Sequence, residues 1–115
     1  MNERLVSFDF TLEAHTGGSG AAGVTLPPDV GFTIKGVSWF GAHSGTPTGV
    51  DIDLQDDTVD IVGAIAIDIL ANGYTAIVPV QVAAGSVIEV DLNFTAGTSP
   101  AATGILSVFG FFDEK

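Results

Sequence analysis

The chain has 115 residues, 46% hydrophobic and only 15% charged, with 14 acidic residues against three basic ones and a net charge of −11. That length fits one domain, and the apolar share excludes an intrinsically disordered chain. The charge excludes binding a phosphate backbone by neutralisation and disfavours an anionic membrane surface, while the absence of cysteine excludes disulfides and thiolate chemistry.

In chain order, the opening MNERLVSFDFTLEA has neither an apolar h-region nor a small-residue cleavage site, so no secretory signal is expected. Residues 1–5 read as an N-terminal arm. Val6, Phe8, Phe10 and Leu12 then alternate with Ser7, Asp9, Thr11 and Glu13, the period of a half-buried strand. HTGGSGAAG (15–23) is expected to be a Gly-rich loop, followed by a short strand VTL and the stop PPD. Residues 31–42, GFTIKGVSWFGA, read as a strand with Phe32, Ile34 and Trp39 inward, and Gly36 marks a bulge or a close packing point.

The loop HSGTPTG (43–49) leads into VDIDLQ, where Val50, Ile52 and Leu54 alternate with Asp51, Asp53 and Gln55. DDT turns the chain. VDIVGAIAIDILA (59–71) favours a strand by its β-branched content, with a short helix as the alternative. Asn72-Gly73 is the strongest hairpin signal, and Pro79 demotes YTAIVPVQV to an edge strand or places a bulge in it. After the turn AAGS, Ile88, Val90, Leu92 and Phe94 oppose Glu89, Asp91 and Asn93. A loop, GTSPAATG, precedes the last strand, ILSVFGFF. About eight strands with no amphipathic helix predict an all-β, single-domain antiparallel β-sandwich over residues 1–115, jelly-roll-like in topology.

Five aspartates between Asp51 and Asp60 raise the question of a metal. An EF-hand loop starting at Asp51 would need glycine sixth and glutamate twelfth, where Asp56 and Val62 stand. A cation between Asp56, Asp57 and Asp60 stays open as a weak alternative to a wet outer face and a turn. Acid–base work on a sugar would need a cleft that splits two carboxyl pKa values, which an exposed strand ladder does not offer.

GSGAAG (18–23) fits the dinucleotide-binding glycine spacing, but VTLPPD after it forbids the helix that would meet a pyrophosphate. His15 and His43 lie in different loops with no ligand spacing between them, and both are expected to face solvent. No nucleophile elbow is present. Neither an enzyme nor a cofactor is therefore expected. Trp39 and Tyr74 could stack on sugar rings or fill the core. In VFGFF, both faces of the strand carry phenylalanine, which suggests cover on both sides.

The stretches GVDIDLQDD and VAAGSVIEVDLNFTAGTSPAATGILSVFGFF resemble small β-sandwich virion proteins of tailed bacteriophages, of the head decoration or cement type. The resemblance covers about Val37 to Phe112 and leaves out the N-terminal third. It implies a non-enzymatic structural protein assembled in the host cytoplasm onto the outer capsid surface. Its partners would be the major capsid protein and copies of itself, most often as a trimer, with no nucleic acid or membrane partner. By position, the capsid contacts would be Met1, Asn2, Glu3, Arg4 and Leu5 of the arm, His15, Thr16, Gly17 and Gly18, His43 and Ser44, and Thr98, Ser99 and Pro100. The alternative implied is a glycan- or receptor-binding module of a tail or head fibre, using Trp39 and Tyr74.

Overall fold

The computed structural model describes residues 5–16, 18–56, 59–60 and 72–113. They form strands β1 (Val6–His15), β2 (Gly18–Thr25), β3 (Phe32–Ser44), β4 (Gly49–Asp56), β5 (Val59–Asp60), β6 (Gly73–Val82), β7 (Val87–Thr95) and β8 (Ala101–Phe112). There is no helix among them. Two antiparallel sheets result, ordered β1-β8-β3-β6 and β2-β7-β4-β5. First strand pairs with last, second with seventh, third with sixth and fourth with fifth, and β3–β8 and β4–β7 complete the sheets.

The two inner faces meet in one apolar core, the arrangement of a β-sandwich. Phe10, Leu12, Ile34, Val37, Trp39, Leu106 and Val108 come from the first sheet, and Val50, Ile52, Leu54, Ile88 and Val90 from the second. Burying a side chain of this size stabilises the fold by about 1.5–3 kcal/mol. At one end of the core Phe8, Phe32 and Phe112 form an aromatic triangle, with ring centroids 4.9 to 6.1 Å apart. Towards the other end the Trp39 indole lies over Gly41 and Gly104. A methyl on Gly41 would stand 2.6 Å from the indole, and one on Gly104 would stand 2.9 Å from it. Only glycine at both positions lets so large a ring lie flat against the sheet.

Alternation places β1, β4 and β7 as expected, because each carries a clear apolar parity, and in β3 the inward parity passes from Phe32 and Ile34 to Val37 and Trp39 at the register shift between Ile34 and Gly36, the bulge expected there. Pro79 sits in the edge strand β6. There Lys35 alone faces Ile77, Val78 and Pro79, so β6 bulges where proline cannot donate to the ladder.

The Gly-rich stretch corrects the sequence reading. Residues 18–23 belong to strand β2, which pairs with β7 through a register shift between Gly18 and Ala22. Gly, Ser and Ala give no parity for a pattern to detect, and the backbone ladder to β7 holds this edge strand instead. The two later loops are shorter than expected. β3 continues through His43 to Ser44, and β8 starts at Ala101, which leaves residues 45–48 and 96–100 as the turns. Of the segment 59–71, Val59–Asp60 form the short strand β5, and residues 61–71 lie outside the described residues.

Candidate functional site

Strand pairing gathers the turns between β1 and β2, β3 and β4, and β7 and β8 at one end of the sandwich, since His15, Ala102 and His43 share a register row. There the two later loops brace each other. The Thr98 amide donates to the Gly45 carbonyl at 2.8 Å, and the Thr48 amide and hydroxyl both donate to the Thr95 carbonyl, at 2.9 and 3.2 Å. Three non-glycine residues among those described have positive φ: Thr46 at 50°, Ala96 at 58° and Ser99 at 46°. All three lie in this loop pair. Left-handed backbone is costly for a β-branched threonine and persists only where neighbours over-determine it, so the loop pair is held rigid.

Chemically the β3–β4 and β7–β8 loop pair is neutral, with Glu13 of β1 as the nearest carboxylate of the neighbouring turn. Residues 36–50 and 92–112 contain no Asp, Glu, Lys or Arg in a chain of net charge −11. Ser44, Thr46, Thr98 and Ser99 are exposed there, and Pro100 is half-buried. The tip thus offers hydroxyls and backbone without the repulsion that the rest of the molecule would impose on an acidic partner.

Of the expected contact residues, Ser44, Thr98, Ser99 and Pro100 come together at this tip, and Thr16 is exposed just after β1. Gly18 opens β2, paired with Leu92. His15 ends β1, and Gly17 lies outside the described residues. His43 corrects the expectation of a solvent-facing histidine. It sits on the inner side of β3, half-buried, with its ring 5.3 Å from Trp39 and 6.4 Å from Phe94. Leu5 is exposed at the opposite end of β1, about 30 Å away at the rise of a ten-residue strand. It cannot join the same contact. Met1, Asn2, Glu3 and Arg4 lie outside the described residues.

The two aromatic candidates separate. Trp39 is 0% exposed, and its buried indole N–H has no acceptor among the described residues. Tyr74, opposite Ser38, is 51% exposed on the outer face of the first sheet, and Phe40, two residues further along β3, is 59% exposed on the same face. One of the two aromatics Trp39 and Phe40 had to face out, and it is Phe40. Phe109 and Phe111, on that outer face, are half covered by Tyr74 (ring centroids 5.4 Å apart) and by the Lys35 ammonium (5.7 Å from the ring). The cover expected for VFGFF thus comes partly from the chain itself.

On the second sheet, β4 and β7 set Asp51 across from Asn93, Asp53 across from Asp91 and Gln55 across from Glu89, an acidic ladder in which the Asn93 amide donates to Asp53. Among the described residues no group of three or more His, Asp or Glu is arranged to hold a metal ion. Asp56 ends β4. Asp57 lies outside the described residues, and of Asp60 only the strand position is described. GSGAAG, as an edge strand, is not a phosphate loop. Comparison of the chain with known protein families, with curated proteins and with solved structures finds no match.

Proposed function

We propose that this chain is a jelly-roll structural protein of a tailed-bacteriophage virion. In this reading it is a non-enzymatic decoration protein that docks on the outer surface of the head through its neutral loop tip. The nested strand order β1-β8-β3-β6 and β2-β7-β4-β5 supports the jelly roll, a fold of two four-stranded sheets common among viral capsid domains. The observation that carries the docking role is the β3–β4 and β7–β8 loop pair at this tip: braced, backbone-strained and without a charged residue on a molecule of net charge −11. A preformed loop surface loses little conformational entropy on binding. The acidity elsewhere agrees with a position outside the shell, away from packaged nucleic acid.

Immunogold labelling of the parent virions with antibody against this chain tests the reading. Gold spread over the head is expected, and gold confined to the tail or to isolated spikes would overturn it. The second reading, a glycan- or receptor-binding module, keeps Tyr74, whose ring is exposed, and loses Trp39, which is buried. Trp39 emission is therefore expected to be blue-shifted, resistant to quenching and unmoved by added sugars. A red-shifted, sugar-responsive spectrum would favour the second reading.

A further inference from the structure

Every large hydrophobic side chain that is exposed among the described residues belongs to one sheet or its lead-in: Leu5, Phe40, Tyr74, Val78, Ile105 and Phe112. The described residues of the acidic sheet contribute none. On the outer face of β3 and β8, Phe40 and Ile105 are direct cross-strand neighbours, 59% and 47% exposed. The next row towards the opposite end is Asp9, Ser107, Ser38 and Tyr74 across β1, β8, β3 and β6. Ser107 and Ser38 form its buried floor, and the Ser107 hydroxyl donates to Asp9 at 2.7 Å.

We propose that this face joins two copies of the chain about a two-fold axis that runs along the seam between β3 and β8. The inference does not rest on the virion reading. An isologous contact needs a face that complements itself, residue i meeting j and j meeting i. Rotation about the seam sets β3 of one copy over β8 of the other without shifting rows. Phe40 then meets Ile105 of the partner subunit, and Ile105 meets the partner's Phe40. Tyr74 and Asp9, in one row on the flanking strands, become opposite each other at the rim, a phenol facing a carboxylate.

Charge selects this face over the other. Two copies that met through β4 and β7 would bring the carboxylates of Asp51, Asp53 and Glu89 onto the same acidic ladder of the partner subunit. Meeting through β3 and β8 turns both acidic ladders outward, as far apart as the fold allows. Lys35, the one basic residue among those described, stands on the joining face. Four strands about 4.8 Å apart and about eight residues long offer roughly 500 Å² per copy, or roughly 1,000 Å² in all, which is the lower range for a specific, reversible dimer.

Sedimentation velocity on the full chain from about 1 to 200 μM tests this, the range in which an interface of this size associates. A concentration-dependent species of twice the 11.7 kDa chain mass is expected. Phe40→Asp and Ile105→Asp should each weaken it at least tenfold, roughly the effect of removing a central apolar anchor. Asp53→Asn on the acidic face should leave it intact. Both anchors are exposed, so folding should survive, with unchanged far-UV circular dichroism. Should either aspartate variant fail to fold, Phe40→Ser and Ile105→Ser carry the same expectation. A monomer throughout the range, a trimer, or a dimer indifferent to all these substitutions would overturn the proposal.

Discussion

On the outer face of β4 and β7, carboxylates and amides oppose one another across the strands. On the outer face of β3 and β8 stand Phe40, Ile105, Ser38 and Ser107, overlooked by Tyr74 and Phe109. Beneath these two surfaces the inner faces are alike, closed by Ile52, Leu54, Ile88 and Val90 on one side and Val37, Trp39, Leu106 and Val108 on the other. The period of two in the strands serves the same core in both sheets and leaves the second parity free. In the second sheet that parity is acidic along β4 and β7; in the first it is apolar and hydroxyl-bearing at the centre, on β3 and β8 from Ser38 and Ser107 to Phe40 and Ile105, with Asp9 and Glu13 on the flanking strand β1.

The sharpest check is on the shared layer, where the expected effects are largest. Leu106→Ala and Ile52→Ala, one under each face, should each cost about 2–5 kcal/mol in urea unfolding and agree with each other within about 1 kcal/mol. A large gap would mean that the two inner faces are not equivalent.

Glycine substitutions then separate the outer faces. At Gly36 a methyl would run into the Tyr74 hydroxyl and stand 2.8 Å from the Thr75 carbonyl oxygen, whereas at Gly23 it would meet only the Glu89 Cγ at 3.1 Å. Gly36→Ala should therefore destabilise by about 1–3 kcal/mol, as overpacking does, and Gly23→Ala by less than about 0.5 kcal/mol, because a surface side chain can give way. Equal costs would remove the distinction between a packed outer face and an open one.

Salt reports on the acidic ladder. With Asp51, Asp53 and Glu89 on one face of a chain of net charge −11, raising ionic strength from low salt to about 0.5 M should lift the melting temperature by a few degrees, since screening relieves like charges at the surface. A fall would show attraction where the register places repulsion. The smallest expected effect is that of a chelator, which should move the melting temperature by less than about 1 °C, since only a ligand bound to the native state stabilises it. A drop of several degrees would make Asp56 and its neighbours a structural cation site.

Much of this was legible from the residues. Val50, Ile52 and Leu54 announced β4 because each second residue is apolar, and Pro79 marked an edge because proline lacks the ladder's donor. The neutral loop sequences could be read as turns. That the β3–β4 and β7–β8 turns grip each other could not, since their residues are some 50 positions apart in the chain. In β2 only Val24 and Thr25 could be read, as the start of the short strand VTL; residues 18–23 were illegible because glycine and alanine leave no parity to read.

By itself, then, the sequence determined the all-β class, the inward parity of the well-patterned strands, the acidity and the lack of covalent staples, because these follow from local alternation and composition. Tertiary structure decided which strands lie side by side, and with that everything that makes a surface. It drew His43 inward, left Phe40 beside Ile105 in the open, and set the strained turns at one end. Those are properties of neighbours distant in the chain, and a period of two tells each strand which side is in without naming the strand beside it.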